Sequence, residues 1–149
     1  MIKTEKSNVV FFKSLHENSK LPYRADLYSS GFDLFSIEEK ILFPKEVYLF
    51  KLGFSLEFSE KLEAQIRSRS GLSLNHGVIV LNSPGTVDSS YRGEVGVILH
   101  NISDKKYEVH EGDKIAQMVF QWVPDIEFEI RETLSKTQRG SGGFGSTGR

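Results

Sequence analysis

The sequence predicts an all-β domain with one short helix, and three observations lead there. Apolar residues recur at every second position through residues 47–58, 62–66 and 114–122, the period of a strand with one buried face and not of a helix. Turn-forming clusters containing Gly, Pro, Asn and Asp separate these runs. Only residues 70–77 offer helix start and stop signals in the right order. At 149 residues and 38% hydrophobic content, the chain is long enough for one core and too short for two.

Taken in order, Val9-Val10-Phe11-Phe12 reads as a short strand, being β-branched and aromatic. Leu21-Pro22 interrupts the chain, and after Tyr28-Ser29-Ser30-Gly31 a strand sets Phe32, Leu34 and Ser36 against Gly31, Asp33 and Phe35. Asp33 at that strand entry fits a turn cap as readily as a functional carboxylate. Ile41-Leu42-Phe43 precedes Pro44, and residues 47–58 alternate as one strand, with Phe50, Leu52, Phe54, Leu56 and Phe58 on a common face. Leu62, Ala64 and Ile66 share the next apolar face.

Ser70 is then placed to cap a short helix that Gly77 ends. Its N-terminus, beside Arg69, would join free N–H groups, a hydroxyl and a formal charge in one anion site; the alternative is that Arg67 and Arg69 line a solvated face. Val95 to Leu99 reads as a buried strand, residues 101–106 as a polar turn, residues 107–109 as a short strand and residues 111–114 as a hairpin turn. In residues 114–122, Ala116, Met118, Phe120 and Trp122 face one way, with Gln117 on the mixed opposite face, where its amide is either a donor or simply wet. Ile126, Phe128 and Ile130 end the β pattern.

The chemistry concentrates in residues 82–94, Asn-Ser-Pro-Gly-Thr-Val-Asp-Ser-Ser-Tyr-Arg-Gly-Glu. Apolar alternation on both sides marks it as the turn region of a β-hairpin, with Pro84-Gly85 as the turn dipeptide. Asn82, Asp88, Tyr91 and Arg92 lie within a few residues of Gly85 and Gly93, where backbone can approach a ligand. Residues 133–149 lack apolar periodicity and end Arg-Gly-Ser-Gly-Gly-Phe-Gly-Ser-Thr-Gly-Arg, a flexible composition. Gly143 to Gly148 formally fits a dinucleotide fingerprint, but that loop needs a strand before it and a helix after it. Such an arm, with one aromatic ring and many free N–H groups, can instead fold over a base and a polyphosphate.

Several classes are excluded or disfavoured. Lys and Arg number 19 against 20 for Asp and Glu, a net charge of −1, so no global field draws the chain to nucleic acid or membrane and any anion is held locally. There is no cysteine, which removes disulfides, thiol catalysis and thiolate metal sites. His16, His76, His100 and His110 lack the paired spacing of a zinc site. No apolar run follows the first charges and none approaches a membrane span, so the expectation is a soluble, cytoplasmic protein.

Five blocks stand in order: residues 30–34, Arg69-Ser70-Gly71-Leu72, residues 82–94, residues 112–117 and residues 139–148. Together they resemble the five motifs of the homotrimeric dUTP diphosphatases (dUTPases), over nearly the whole chain after Leu21. The resemblance implies a distorted jelly-roll-like β-barrel subunit over residues 1–132 and an arm over residues 133–149 that closes an active site of the trimer. It also implies hydrolysis of dUTP to dUMP and pyrophosphate with Mg2+, keeping uracil out of DNA and supplying dUMP for thymidylate synthesis. Asp88 would activate the water that attacks the α-phosphorus in line and would touch the sugar 3'-hydroxyl. Tyr91 would lie against the deoxyribose and exclude a 2'-hydroxyl. Asn82, with backbone groups around Gly85, Thr86, Val87 and Gly96, would read uracil. Arg69, Ser70, Gly71 and Gln117 would hold phosphates, and Asp33 would reach the metal through water. Phe144 would stack on uracil while Arg139, Gly145, Ser146 and Thr147 close over the outer phosphates.

Departures from the family pattern are Ser30 for Ala, Ser68 for Pro, Ser90 for an acidic residue and Lys114 for Arg; none removes a group with an implied catalytic role. The competing readings are a dCTP deaminase-like enzyme, which generally lacks the tyrosine-bearing third motif and the Gly-rich fifth, and a non-catalytic nucleotide-sensing trimer.

Overall fold

The computed structural model describes residues 8–145. In chain order its elements are β1 (Phe11–Ser14), β2 (Phe32–Phe35), β3 (Lys40–Leu42), β4 (Val47–Lys51), β5 (Phe54–Glu57), β6 (Leu62–Arg67), α1 (Ser70–His76), β7 (Val78–Val80), β8 (Gly85–Val87), β9 (Gly96–Asn101), β10 (Tyr107–Val109) and β11 (Lys114–Trp122). The strands form a four-stranded sheet β2-β11-β6-β8, a three-stranded sheet β4-β9-β7 and two pairs, β1-β5 and β10-β3. All pair antiparallel, and most partners are distant in sequence. This is the all-β architecture that the alternation predicted and the jelly-roll-like form that the resemblance implied, with α1 as the single helix among the described residues.

The sheets enclose one core. Leu34, Leu42, Phe50, Leu52, Ala64, Ala116 and Met118 have no exposed surface. Phe120 sits edge-on to both Phe32 and Phe58, at centroid distances of 6.1 and 5.4 Å, so β2, β11 and the residue that follows β5 are held by aromatic geometry as well as by buried area.

Residues 47–58 are two strands, not one. Gly53, at φ +74°, turns the chain between β4 and β5, and β4 pairs with β9 whereas β5 pairs with β1. A side chain at Gly53 would meet the His16 Cβ at 2.8 Å in addition to the left-handed backbone. The buried parity from Phe50 to Phe58 continues unbroken through this corner, which is why alternation alone could not reveal it.

Three other local expectations are corrected. Ser70 does not cap α1: Arg69 is the N-cap, in extended conformation and without a side-chain cap bond, while Gly77 ends the helix at φ +64° as expected. Residues 111–114 turn at Gly112 (φ +85°), but β10 and β11 pair with other strands and not with each other. Residues 126–130 form no strand: Ile126, Phe128 and Ile130 are 64%, 98% and 100% exposed, because nothing in the described chain offers them a face or an edge.

Asn101, which the sequence places in a polar turn, is fully buried at the end of β9. Its Nδ2 donates to the Leu42 carbonyl at 3.0 Å and to the Lys105 carbonyl at 2.7 Å, and its Oδ1 accepts from Ser103. Asn101→Ala would remove the donor to the Leu42 carbonyl and the acceptor for the Ser103 N–H, at about 1–3 kcal/mol per unsatisfied buried group, while Ser103 Oγ still reaches the Lys105 carbonyl at 3.0 Å. The expected loss is about 3 kcal/mol, read as a lower urea midpoint at unchanged slope.

Candidate functional site

Strands β7 and β9 pair as a hairpin, Val80 opposite Leu99, and residues 81–95 form its long connection. This bears out the hairpin expectation, with one difference: the connection contains β8, which crosses to the other sheet and pairs with β6, Gly85 opposite Ile66. The turn runs through a cis Ser83–Pro84 bond, and Gly85 takes no positive φ. Instead Gly85 is packed, since a Cβ there would lie 3.2 Å from Asn82 Nδ2 and 3.4 Å from Ile66 Cβ.

The crossing opens a cleft of about 500 Å³ that gathers Asn82, Gly85, Thr86, Val87, Asp88, Tyr91 and Gly96. All seven were anticipated from sequence. Leu49, Lys51, Ile66, Glu94, Val95 and Ile98 complete the lining and were not. Ile66 and Ile98 lie on strands that were recognised, but periodicity assigns a face and not which neighbour shares it. Asp88 and Tyr91 are both exposed to the cleft, and the Tyr91 N–H donates to the Asp88 carbonyl at 3.0 Å, closing a turn that presents both side chains. The Tyr91 ring lies directly over Gly93, where a Cβ would fall 2.7 Å from Cε2. Its hydroxyl donates to the Glu94 carbonyl at 2.9 Å, so one face of the phenol is fixed by backbone and the other is left for a ligand.

A second group lies across β2, β11 and the start of α1. Asp33, on β2, bonds Lys114 Nζ at 2.8 Å and Arg69 Nε at 3.3 Å. Arg69 also donates to the Lys114 carbonyl at 3.1 Å, so its guanidinium is aimed at β2 and β11 and is not loose on a solvated face. Asp33 is thus more than a turn cap, and its carboxylate is only 17% exposed. The Gln117 amide is no wet surface group either: Nε2 donates to the Ser68 carbonyl at 2.9 Å, and Gly31 leaves room for the side chain. Ser70 and Gly71 are exposed at the start of α1, with open space beside Gly71. Behind them, burial first and Asp113 second push the Tyr107 phenol above its ordinary value, with Arg69 opposing, so the ring stays neutral at physiological pH.

The lining of the cleft includes none of Asp33, Arg69, Ser70, Gly71 and Gln117. Nor do the described residues of the arm join it: Phe144 is fully exposed, and among the described residues Arg139 donates to the Gly142 carbonyl, at 2.8 Å, within the arm. Gly145 is described, at φ +91°, whereas Ser146 and Thr147 lie outside the described residues. One chain therefore presents three separate sets: a cleft with a carboxylate and a phenol, a cationic cluster held by a carboxylate, and an arm with an unpacked aromatic ring.

A family model described as dUTPase matches residues 17–148. The deoxyuridine 5'-triphosphate nucleotidohydrolase of Clostridium tetani is 51% identical over 137 residues, covering 92% of this chain and 94% of the relative. That of Helicobacter pylori strain Shi470 is 53% identical over 136 residues, covering 91% and 94%. Among solved structures, the dUTPase of Staphylococcus bacteriophage 80alpha with dUPNHPP superposes with a TM-score of 0.89 at 26% identity, covering 95% of this chain and 99% of that chain. A variant dUTPase of phage phi11 of S. aureus, whose structure concerns a structural Mg(II) ion, shares the fold with a TM-score of 0.80 at 24% identity, covering 87% and 100%.

Proposed function

The chain belongs to the dUTPase family and hydrolyses dUTP to dUMP and pyrophosphate; from that premise we propose that Asp88 activates the attacking water in a site shared between subunits of a homotrimer. The observation that supports this most is the cleft itself, which sets the Asp88 carboxylate beside a phenol, a carboxamide and two glycines. A carboxylate at that place accepts a proton from water as the oxygen attacks the α-phosphorus. Asn82 and the backbone from Gly85 to Val87 and at Gly96 read uracil by its two carbonyls and N3–H. Cytosine inverts part of that pattern and leaves buried groups unpaired. Tyr91 packs flat on the deoxyribose.

Arg69, with Ser70, Gly71 and Gln117, holds phosphate oxygens, the guanidinium being suited to paired acceptors. The arm brings Phe144 onto the base, and Arg139 and Gly145, with Ser146 and Thr147 beyond the described residues, onto the outer phosphates. Among the described residues no group of three or more acidic or imidazole side chains could cage a metal, and Asp33 is already engaged by two cations. That donor set fits Mg2+ held chiefly by the triphosphate and water, with Asp33 reaching it through water. When bound, Mg2+ supplies charge neutralisation on the phosphates.

Two observations support the trimer. The phosphate-binding group and the cleft are separate within one chain, so a neighbour can complete the site. Ile126, Phe128 and Ile130 keep strand periodicity while exposed, and burying them on another subunit is worth about 1.5–3 kcal/mol each. Residues 1–132 then form the barrel and residues 133–149 the closing arm. No helix among the described residues is long and apolar enough to cross a membrane, and a cytoplasmic nucleotide pool is the proposed setting, with no nucleic acid or membrane partner.

Pyrophosphate release across dUTP, dTTP, dCTP and UTP tests the site. The expected result is dUTP turnover at least about 100-fold above each competitor, the scale set by unpaired polar groups and steric exclusion. Comparable turnover of dCTP or UTP would sink the assigned reading of base and sugar, and ammonia release from dCTP without pyrophosphate from dUTP would favour the deaminase.

A further inference from the structure

The cleft holds a second carboxylate that the chemistry above does not use. Glu94 lines it beside Tyr91, yet its Oε1 turns away to accept a hydrogen bond from the Gly53 N–H at 2.9 Å. Gly53 is buried at the β4–β5 corner, and its own carbonyl accepts from Leu15 at 2.7 Å, so the donor stands on a fixed frame. The main chain on the far side of Glu94 is equally fixed, with Val95 N bonded to the Phe54 carbonyl at 2.8 Å and Leu52 N to the Val95 carbonyl at 3.0 Å. The backbone carbonyl of Glu94 is the acceptor for the Tyr91 hydroxyl. A continuous line of bonds thus runs from the corner through the Glu94 side chain and main chain to the phenol, and through Tyr91 N–H to Asp88.

We propose that Glu94 is a positioning residue for sugar discrimination: its carboxylate, anchored on Gly53, fixes the carbonyl that holds the Tyr91 ring against the deoxyribose. The inference rests on the assignment of Tyr91 as the sugar wall. Gly93 just before it leaves the ring no Cβ to rest on. The peptide carrying the Glu94 carbonyl is held on one side by Val95 N on the Phe54 carbonyl and on the other by the carboxylate anchor, so without the anchor a single bond holds it, the carbonyl tilts and the phenol shifts outward. The bond to Gly53 is charge-assisted and part-buried, the class in which one partner's loss is felt most. A ring that swings opens space for a 2'-hydroxyl, so the predicted failure is in selectivity and not only in rate.

The test measures kcat/KM for dUTP and for UTP in the full chain, with Tm alongside. Glu94→Ala is expected to lower the dUTP to UTP ratio at least about tenfold, which corresponds to about 1.4 kcal/mol of discrimination. Glu94→Gln, which keeps an oxygen acceptor for Gly53, is expected to stay within about twofold of the unaltered ratio. If Glu94→Ala does not fold, Glu94→Asp carries the same test, because one methylene fewer breaks the reach to Gly53. A fall in Tm with both substrates slowed equally would show a merely structural role and overturn the proposal. Tyr91→Ala separates the two levels: an unchanged ratio there overturns the sugar wall and this inference together. A lowered ratio there with an unchanged one in Glu94→Ala overturns the positioning role alone.

Discussion

Asp88→Asn is expected to bind dUTP nearly as the unaltered protein does and to lose about 1000-fold in kcat, within the usual range for a general base. The substitution is close to isosteric, so the turn closed by Tyr91 N–H on the Asp88 carbonyl is preserved, because that bond uses main chain only. What disappears is the capacity to take a proton from water. Glu94 cannot substitute, since its carboxylate is turned to Gly53. Lys51, the one cation lining the cleft among the described residues, is no base while protonated. Calorimetric titration with a non-hydrolysable dUTP analogue, paired with pyrophosphate release, separates binding from turnover. Turnover at the unaltered rate would remove Asp88 from the mechanism.

Removing residues 140–149 is expected to cost about 100-fold in kcat/KM for dUTP, the scale on which loss of a closing, positioning element acts. Tm and the assembled size should be unchanged. The arm's described hydrogen bonds run within the arm, Arg139 to Gly142 and Gly140 to Thr137, and Phe144 is fully exposed, so among the described residues the deletion removes no side chain packed on the barrel. Size-exclusion chromatography and the activity assay on one sample check both halves. A truncated protein that dissociates would instead place the arm among the subunit contacts.

Much of the fold was legible because burial follows parity. Leu62, Ala64 and Ile66, or Ala116 and Met118, are buried where alternation puts them. Parity also contained a signal that went unread: Asn101 falls two residues after Leu99 on the same inward face, and its polarity alone suggested a turn. Parity does not carry hydrogen-bond partners, so the Gly53 corner and the crossing of β8 to β6 needed coordinates. Ser70 is not the cap because the helix begins at Ser70 itself, with Arg69 in the extended N-cap position one residue earlier than the serine signal suggests. Within the site, motif residues of the cleft were found from sequence, since local chain order brings them together. The grip of Asp33 on Lys114 was not, because it spans β2 and β11.

The bare alternation from Ile126 to Ile130 bears on how the chain would survive before the proposed trimer forms. A segment patterned as a strand, with unpaired edge groups and an apolar face in water, is a template for indiscriminate pairing. Acidic neighbours at Asp125, Glu127, Glu129 and Glu132 keep such segments apart by repulsion until a matching surface covers the face. In the proposed trimer, newly made chains would face a race between assembly and aggregation, and resistance to heat would rise with the concentration of the protein itself.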